Sequence, residues 1–361
     1  MGLSIRVLVH LFGGLGIFFL GLQLMSDGLQ KAAGERMRRI LEMFTSKPLK
    51  AVLTGAGVTA VLQSSSTVTV MVVGFVNSGL MDLSQALGTI MGANIGTTVT
   101  AQIVSFDIYA LASPLIGIGA LLYYFTKKKL PRYAGKSALG FGLLLLGLST
   151  MSSAVDPLKG YQPFLDLLVL FGRQPLLGIL AGALFTAIIQ SSSATTGLII
   201  ALAWQGVVDV PAGLAIAVGA NIGTCVTALL ASLTAGTAAR RAAIGHLLFN
   251  VFGTLLFIVF RSPFTDVVQL TSAVTARQLA NAHTLFNVGT TLMLFPFLAL
   301  FEKLVTRIVP GEDEVIEMKP QFLDEHMIGT PGALFAAQRE VLRMANYARD
   351  MVEQAVNAFR D

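Results

Sequence analysis

One polar phrase is written twice, at a constant offset, into a chain that is otherwise oily. Gln63-Ser64-Ser65-Ser66 is followed by Gly92-Ala93-Asn94-Ile95-Gly96-Thr97. Gln190-Ser191-Ser192-Ser193 is followed by Gly219-Ala220-Asn221-Ile222-Gly223-Thr224. Gln63 to Gln190 and Asn94 to Asn221 are both separations of 127. Unpaired hydroxyls and amides in hydrocarbon cost several kcal/mol each, so an apolar chain keeps such clusters where something binds. A duplicated, Gly-rich polar cluster at membrane depth marks a transporter built from two related halves.

The surrounding composition sets that depth. Of 361 residues 54% are hydrophobic and only 12% charged, against about 25% charge in average soluble domains. The expected fold class is therefore an all-α polytopic membrane protein. The single cysteine, Cys225, excludes an internal disulfide and a Cys-rich metal site. The net charge of +5 is no nucleic-acid signal, because the basic residues sit in short loops beside apolar runs. The apolar run from Val7 to Met25 is too long for a signal-peptide core, and no small-residue cleavage site follows it.

Apolar stretches fall at 5–29, 50–80, 85–104, 108–126, 136–154, 175–206, 211–232, 242–260 and 279–304. About 20 residues span the hydrocarbon. Stretches 50–80 and 175–206 are longer, and each is interrupted by its Gln-Ser-Ser-Ser. An interrupted segment of this kind predicts a re-entrant hairpin that turns at the polar sequence and leaves on the side it entered. With those two non-crossing and the rest crossing, seven crossings place fifteen Lys and Arg on one side and five on the other: Arg6, Lys159, Arg173, Arg261 and Arg277. The bias assigns the basic loops and the C-terminus to the cytoplasm and the N-terminus to the outside of an inner membrane.

The repeat reaches beyond the polar phrases, since Gly14 to Ser26 resembles Gly140 to Ser152 at an offset of 126. The expected organisation is membrane repeat 1 over 1–130, repeat 2 over 131–262, an additional helix within 263–308, and a cytoplasmic tail over 309–361. Three crossings per repeat, an odd number, would invert one half relative to the other, so that the two hairpin tips meet near the midplane. In the tail, Gly311-Glu312-Asp313-Glu314 reads as an acidic link. Residues 332–359 read as one amphipathic helix with Leu334, Val341, Ala345, Ala348, Val352 and Val356 on its apolar face.

Half-helices meeting tip to tip suit an oxyanion. Their N-termini offer free N–H groups and partial positive charge, and serine hydroxyls rotate to donate. Ser64, Ser65, Ser66, Ser191, Ser192 and Ser193 are the candidate donors, flanked by Thr67 and Thr196. Gln63, Gln190, Asn94 and Asn221 can orient the serines or share a cation. Carbonyls at the unwound tips, with Thr97, Thr98, Thr224 and Thr227, suit Na⁺. Acids occur only near the ends of the apolar region (Asp27, Asp82, Asp107, Asp209), which argues against a proton relay or a fixed-carboxylate cation site. An anion and its accompanying cations would then make each other's binding favourable, which is a physical basis for coupling.

The paired Gln-Ser-Ser-Ser and Gly-Ala-Asn-Ile-Gly-Thr motifs resemble the type II sodium–phosphate cotransporter family over about residues 5–305. The resemblance implies Na⁺-coupled movement of inorganic phosphate by alternating access, with no other cofactor and no enzymatic activity. It implies that phosphate and Na⁺ are held by Gln63 to Ser66 and Gln190 to Ser193. With the residue chemistry above, the expected phosphate contacts are Gln63 to Thr67, Gln190 to Ser193, Asn94 and Asn221, and the expected Na⁺ ligands are Gln63, Ser66, Thr97, Thr98, Gln190, Ser193, Thr196, Thr224 and Thr227. Cys225 stands where the repeat would place the counterpart of Thr98, which weakens a hydroxyl ligand in the second half. Bacterial members often carry a PhoU-like cytoplasmic helical domain, and the tail resembles its first helix. The expected partners are phosphate, Na⁺ and the lipid bilayer, a homodimer being open, and nucleic acid is not expected.

Blander and competing readings sit beside these. Asn94 and Asn221 also suit ties between helices, and His246–Asn250 and His283–Asn287, each one turn apart, suit helix packing more than a metal site. An intramembrane hydrolase would need one activated nucleophile rather than two matching sets. A phosphate or anion channel or sensor could use the same hairpins without Na⁺ coupling.

Overall fold

Proline, aspartate and serine mark several of the helix starts in the apolar chain. The computed structural model describes residues 2–45, 47–155, 162–311, 322 and 332–358, and every regular element among them is helical. The first half runs α1 (Gly2–Phe44), α2 (Pro48–Leu62), α3 (Ser65–Asn77), α4 (Leu83–Val104), a short 3-10 turn at Tyr109–Leu111, and α5 (Ala112–Phe125). The second runs α6 (Lys129–Val155), α7 (Gln162–Arg173), α8 (Pro175–Ile189), α9 (Ser192–Trp204), α10 (Val210–Ser232) and α11 (Thr237–Val259). Then follow α12 (Arg261–Leu270), α13 (Thr275–Leu294), α14 (Leu298–Ile308) and α15 (Ala333–Ala358). The described residues up to 311, apart from 78–80, form one compact unit, and 78–80 with the described residues from 322 onward form a second.

The start signals repeat as the sequence does. Pro48 and Pro175 open α2 and α8, where a missing N–H costs nothing. Asp82 and Asp209 cap α4 and α10, accepting from Gln85 N at 2.7 Å and Ala212 N at 2.9 Å. Two of the acids near the ends of the apolar region are thus helix caps.

Glycines set the packing. A Cβ added to Gly92 would overlap Val52 O, and one added to Gly219 would overlap Ile179 O. Gly96 meets Ala56 and Ala60 as Gly223 meets Ala183 and Ala187, each partner being the repeat counterpart of the other. Partner numbers rise together, so α2 runs parallel to α4 and α8 parallel to α10, backbone against backbone. The glycines of both Gly-Ala-Asn-Ile-Gly stretches therefore serve helix–helix approach. Between the halves, Gly14 lies on Gly147 and Met151, Gly21 on Gly140 and Leu144, and Gly28 on Tyr133 and Ser137. Here one number rises as the other falls: α1 and α6 are antiparallel. Phe18, Leu144, Leu145, Leu148, Met151, Ile200, Ala201 and Ala215 form the buried core around this contact.

Five helical stretches are long and apolar enough to cross a membrane: Phe12–Phe44, Lys129–Ala154, Val210–Ser232, Thr237–Val259 and Thr275–Ile308. The chain is a multi-pass membrane protein. Seven crossings are expected from the apolar stretches, but α4 and the stretch Tyr109–Phe125 pass the same test only together, as a pair bent by 89°, which makes six at most among the described residues. The reason is length. The fourteen residues of α5 rise about 21 Å, short of a hydrocarbon core about 30 Å thick.

The tail helix forms as expected, yet Leu334, Val341, Val352 and Val356 on its expected apolar face are all exposed. Its buried positions among the described side chains are Ala336 and Glu340, the latter accepting from Phe322 N at 3.1 Å and paired with Arg343. Lys159 and the acidic residues 312–314 lie outside the described residues.

Candidate phosphate and sodium site

Both helix breaks are built the same way. Gln63 closes α2 at φ 55°, ψ 30°, and Gln190 closes α8 at φ 57°, ψ 29°. They are the only non-glycine residues with positive φ among the described residues. Left-handed backbone costs a side-chain-bearing residue about 1–3 kcal/mol, a strain that persists only where the surroundings enforce it. The Gln63 N–H donates to Thr59 O at 2.8 Å, and the Gln190 N–H to Thr186 O at 2.6 Å, ending each helix. The chain then restarts at once. Ser64 Oγ accepts from Thr67 N at 3.2 Å, and Ser191 Oγ accepts from Ala194 N at 3.3 Å, capping α3 and α9.

Those caps leave the first amides of α3 and α9 without carbonyl partners inside their own helices. Ser65 and Ser192 are buried at the two N-termini, while Ser64, Ser66, Ser191 and Ser193 are half-buried. One cavity of about 810 Å³ is lined by Gln63, Ser64, Ser65 and Ser66 and also by Gln190, Ser191, Ser192 and Ser193. The two polar phrases, one from each half of the chain, therefore share a single space. It can present hydroxyls, amide N–H groups and two positive helix ends to one small anion.

The remaining wall comes from α1 and α6. Ser26 Oγ donates to Leu62 O at 3.2 Å, and Gln30 Nε2 donates to Ser26 Oγ at 2.9 Å and Thr67 Oγ1 at 3.3 Å. Thr67 Oγ1 in turn lies 2.8 Å from Ser64 Oγ. Gln23, Asp27 and Lys136 complete the polar lining. Sequence marks none of Gln23, Ser26, Asp27, Gln30 and Lys136 as a site residue, although Ser26 ends the segment that repeats at Ser152. Nor does it mark Thr100, whose Oγ1 donates to Gln63 Oε1 at 2.6 Å and holds that side chain.

The halves are not identical. Gln63 is buried and Gln190 exposed. Thr186 and Thr195 hydroxyls bond at 2.6 Å across the second break. In the first break Val68 replaces the second hydroxyl, and Thr59 Oγ1 is left without a partner.

The other sequence candidates lie away from the cavity wall. Asn94 Nδ2 donates to Ile90 O at 3.0 Å, Thr97 Oγ1 to Ala93 O at 3.1 Å, and Thr98 Oγ1 to Ile95 O at 2.8 Å. Thr224 Oγ1 likewise turns back to Ala220 O at 3.0 Å. Asn221 ties α10 to α13, donating to Asn287 Oδ1 and meeting His283 Nε2, both at 3.1 Å. Asn250 Nδ2 donates to Cys225 Sγ at 3.3 Å. Thr196 and Thr227 keep buried hydroxyls with no partner, as does Thr69, the counterpart of Thr196 in the first half. Among the described residues no three His, Cys, Asp or Glu converge on a metal position.

A family model described as Na⁺/Pi-cotransporter matches residues 17–153 and 160–279. A Salmonella typhimurium protein named for inorganic phosphate export, YjbB, is 32% identical over 348 residues, covering 96% of this chain and 64% of its own. The Bacillus subtilis protein YqeW is 33% identical over 259 residues, 72% of this chain and 84% of its own. The sodium-dependent phosphate transport protein 2A of Rattus norvegicus is 39% identical over 97 residues, 26% of this chain and 15% of its own. The chain thus spans somewhat less than two thirds of the YjbB relatives' length. No solved structure matches it. With both polar turns inside the matched residues, the chain belongs to the Na⁺/Pi-cotransporter family, whose members are transporters and not enzymes.

Proposed function

We propose that this protein carries inorganic phosphate across the membrane by alternating access, coupled to Na⁺. The observation that supports it most directly is the single cavity into which both Gln-Ser-Ser-Ser turns open. Phosphate sits among Ser64, Ser65, Ser66, Ser191, Ser192 and Ser193, facing the N-termini of α3 and α9. Na⁺ is held about one helical turn further on, by Thr69 and Thr196 hydroxyls and by carbonyls at the breaks. Asn221 ties α10 to α13, while Asn94 bonds back within α4.

The halves are read as inverted repeats over 1–130 and 131–262, followed by an additional helix in 263–308 and a cytoplasmic tail over 309–361. Inversion rests less on a crossing count than on the α1–α6 contact. Gly14 on Gly147 becomes Gly140 on Gly21 when each residue is exchanged for its repeat counterpart, which is the behaviour of a two-fold axis. Re-entrance is supported by direction. Thr100 bonds Gln63 at the far end of α2, and Gly88 lies on Pro48 at its start. Since α3 ends only shortly before α4 begins, it returns toward the level of Pro48. The cavity's lining runs from the tips along residues 19–30 of α1 to Lys136, which extends it toward the basic loops, taken as cytoplasmic. A cargo loaded from that side would leave the cell, in keeping with the relatives named for phosphate export.

The test is labelled-phosphate flux in proteoliposomes holding the full chain. The reading expects saturable flux that stops when Na⁺ is replaced by K⁺ on both sides. Flux that is linear in phosphate and indifferent to Na⁺ would replace the carrier by a channel.

A further inference from the structure

Among the described residues only two ionisable side chains line the cavity, Asp27 on α1 and Lys136 on α6, and they are paired with each other. Asp27 has a second cation, Lys31, at 3.2 Å. Two ammonium groups on one carboxylate leave the trio one positive charge in surplus. Lys136 is the enclosed member, its side chain 12% exposed against 51% for Lys31. If Lys136 turns away, Asp27 keeps Lys31, so no carboxylate is stranded. Asp27 also follows Ser26, whose hydroxyl bonds Leu62 O beside the first polar turn.

We propose that Lys136 is a phosphate-recognition residue of this cavity, held in reserve by Asp27 and released to the oxyanion as it enters. This rests on the phosphate reading above and deepens it. Two helix N-termini contribute about half a positive charge each, so the serine tips alone offset about one charge of a dianion. The lysine ammonium offers the second, and it is the only full positive charge in the described lining. Its three donors suit an oxyanion, one of them already committed to Asp27.

The pair also breaks the repeat symmetry. At the offset of 126 the counterparts of Asp27 and Lys136 are Ser153 and His10, which cannot form a carboxylate–ammonium pair. The charged device therefore exists on one side of the cavity only. Phosphate approaching from that side meets a lysine, and phosphate approaching from the other does not.

A plain structural tie between α1 and α6 predicts different mutants from a reserved ligand. The experiment measures equilibrium binding of labelled inorganic phosphate to detergent-purified full chain, alongside half-saturation and maximal flux in proteoliposomes. Variants are D27N, K136Q, K136R and the swapped pair D27K/K136D. The proposal expects opposite signs: K136Q weakens phosphate binding by about tenfold, D27N tightens it by about threefold, and K136R stays within about twofold of wild type. In flux, K136Q moves half-saturation more than the maximum. The swapped pair keeps the tie but moves the ammonium from the α6 wall to the α1 wall, beside Lys31, so it restores the tie without restoring Lys136 at its own position, and its binding stays weaker than wild type. Equal weakening by D27N and K136Q with recovery in the swap would overturn the proposal in favour of a tie. Wild-type binding with K136Q unchanged sinks this inference alone, and a wild type that binds no phosphate sinks the functional reading with it.

Discussion

Gln63 and Gln190, matching positions of the repeat, adopt nearly the same left-handed backbone, φ 55° and ψ 30° in one against φ 57° and ψ 29° in the other. Glycine would reach that conformation without strain. Glutamine stands there twice, so the side chain is kept at the expense of the backbone.

That relationship predicts how the two sites separate when each is changed to glycine. Gln63→Gly relieves the strain but loses two side-chain bonds, from Thr100 Oγ1 and to Ala60 O, worth about 1 kcal/mol each, so its thermal stability should stay near or somewhat below wild type. Gln190→Gly relieves the same strain without losing a described side-chain bond, and its midpoint should rise by about 2 °C in detergent. Both should lose labelled-phosphate flux. A Gln190→Gly variant with full flux would remove that side chain from the site.

Ser65 and Ser192 are buried at the N-termini that face the cavity, whereas Ser232 bonds Leu229 O at 2.9 Å at the end of α10. Alanine at Ser65 or Ser192 should lower proteoliposome flux by about 100-fold, the cost of one or two charge-assisted hydrogen bonds. Ser232→Ala should stay within about twofold, since only one neutral bond is lost. Comparable flux from all three would discredit the serine tips.

Thr69 and Thr196 carry buried hydroxyls with no protein partner. Were they ordinary packing, valine at each would be neutral or stabilising. As Na⁺ ligands they should instead raise the Na⁺ concentration for half-maximal flux severalfold when replaced, while phosphate half-saturation at high Na⁺ changes little. A Na⁺ titration of each valine variant checks this directly.

Gly92 and Gly219 face the carbonyls of Val52 and Ile179, which cannot move aside as a flexible side chain would. Valine at either position should destabilise the fold by about 2–3 kcal/mol or more and lower the yield of monodisperse protein on size exclusion. Gly57 on the same α2 has nothing within 4 Å of an added Cβ. Gly57→Ala should therefore be tolerated or gain about 0.5–1 kcal/mol from helix propensity.

The duplicated phrase carried a great deal without any coordinates. Its polarity within a chain this apolar announced two helix breaks, and the breaks fall at Gln63 and Gln190 because the serines that follow cap new helices. Multi-pass helical character and family membership were equally legible, since hydrocarbon length and backbone satisfaction are one-dimensional constraints. The crossing count was not. The 89° bend between α4 and the stretch after it depends on what α5 packs against, and α5 lies along α6 through Gly119 and Gly135. The partners of Asn94 and Asn221 were not legible either: sequence allows both a ligand contact and a helix tie, and only packing sets Asn221 against Asn287 and His283 while Asn94 turns back to Ile90 O in its own helix. Lys136 looked like one more basic residue of a cytoplasmic loop. Only the antiparallel contact of α1 with α6 sets it against Asp27 in the wall of the cavity, since which side chains share a space is decided by packing between segments far apart along the chain.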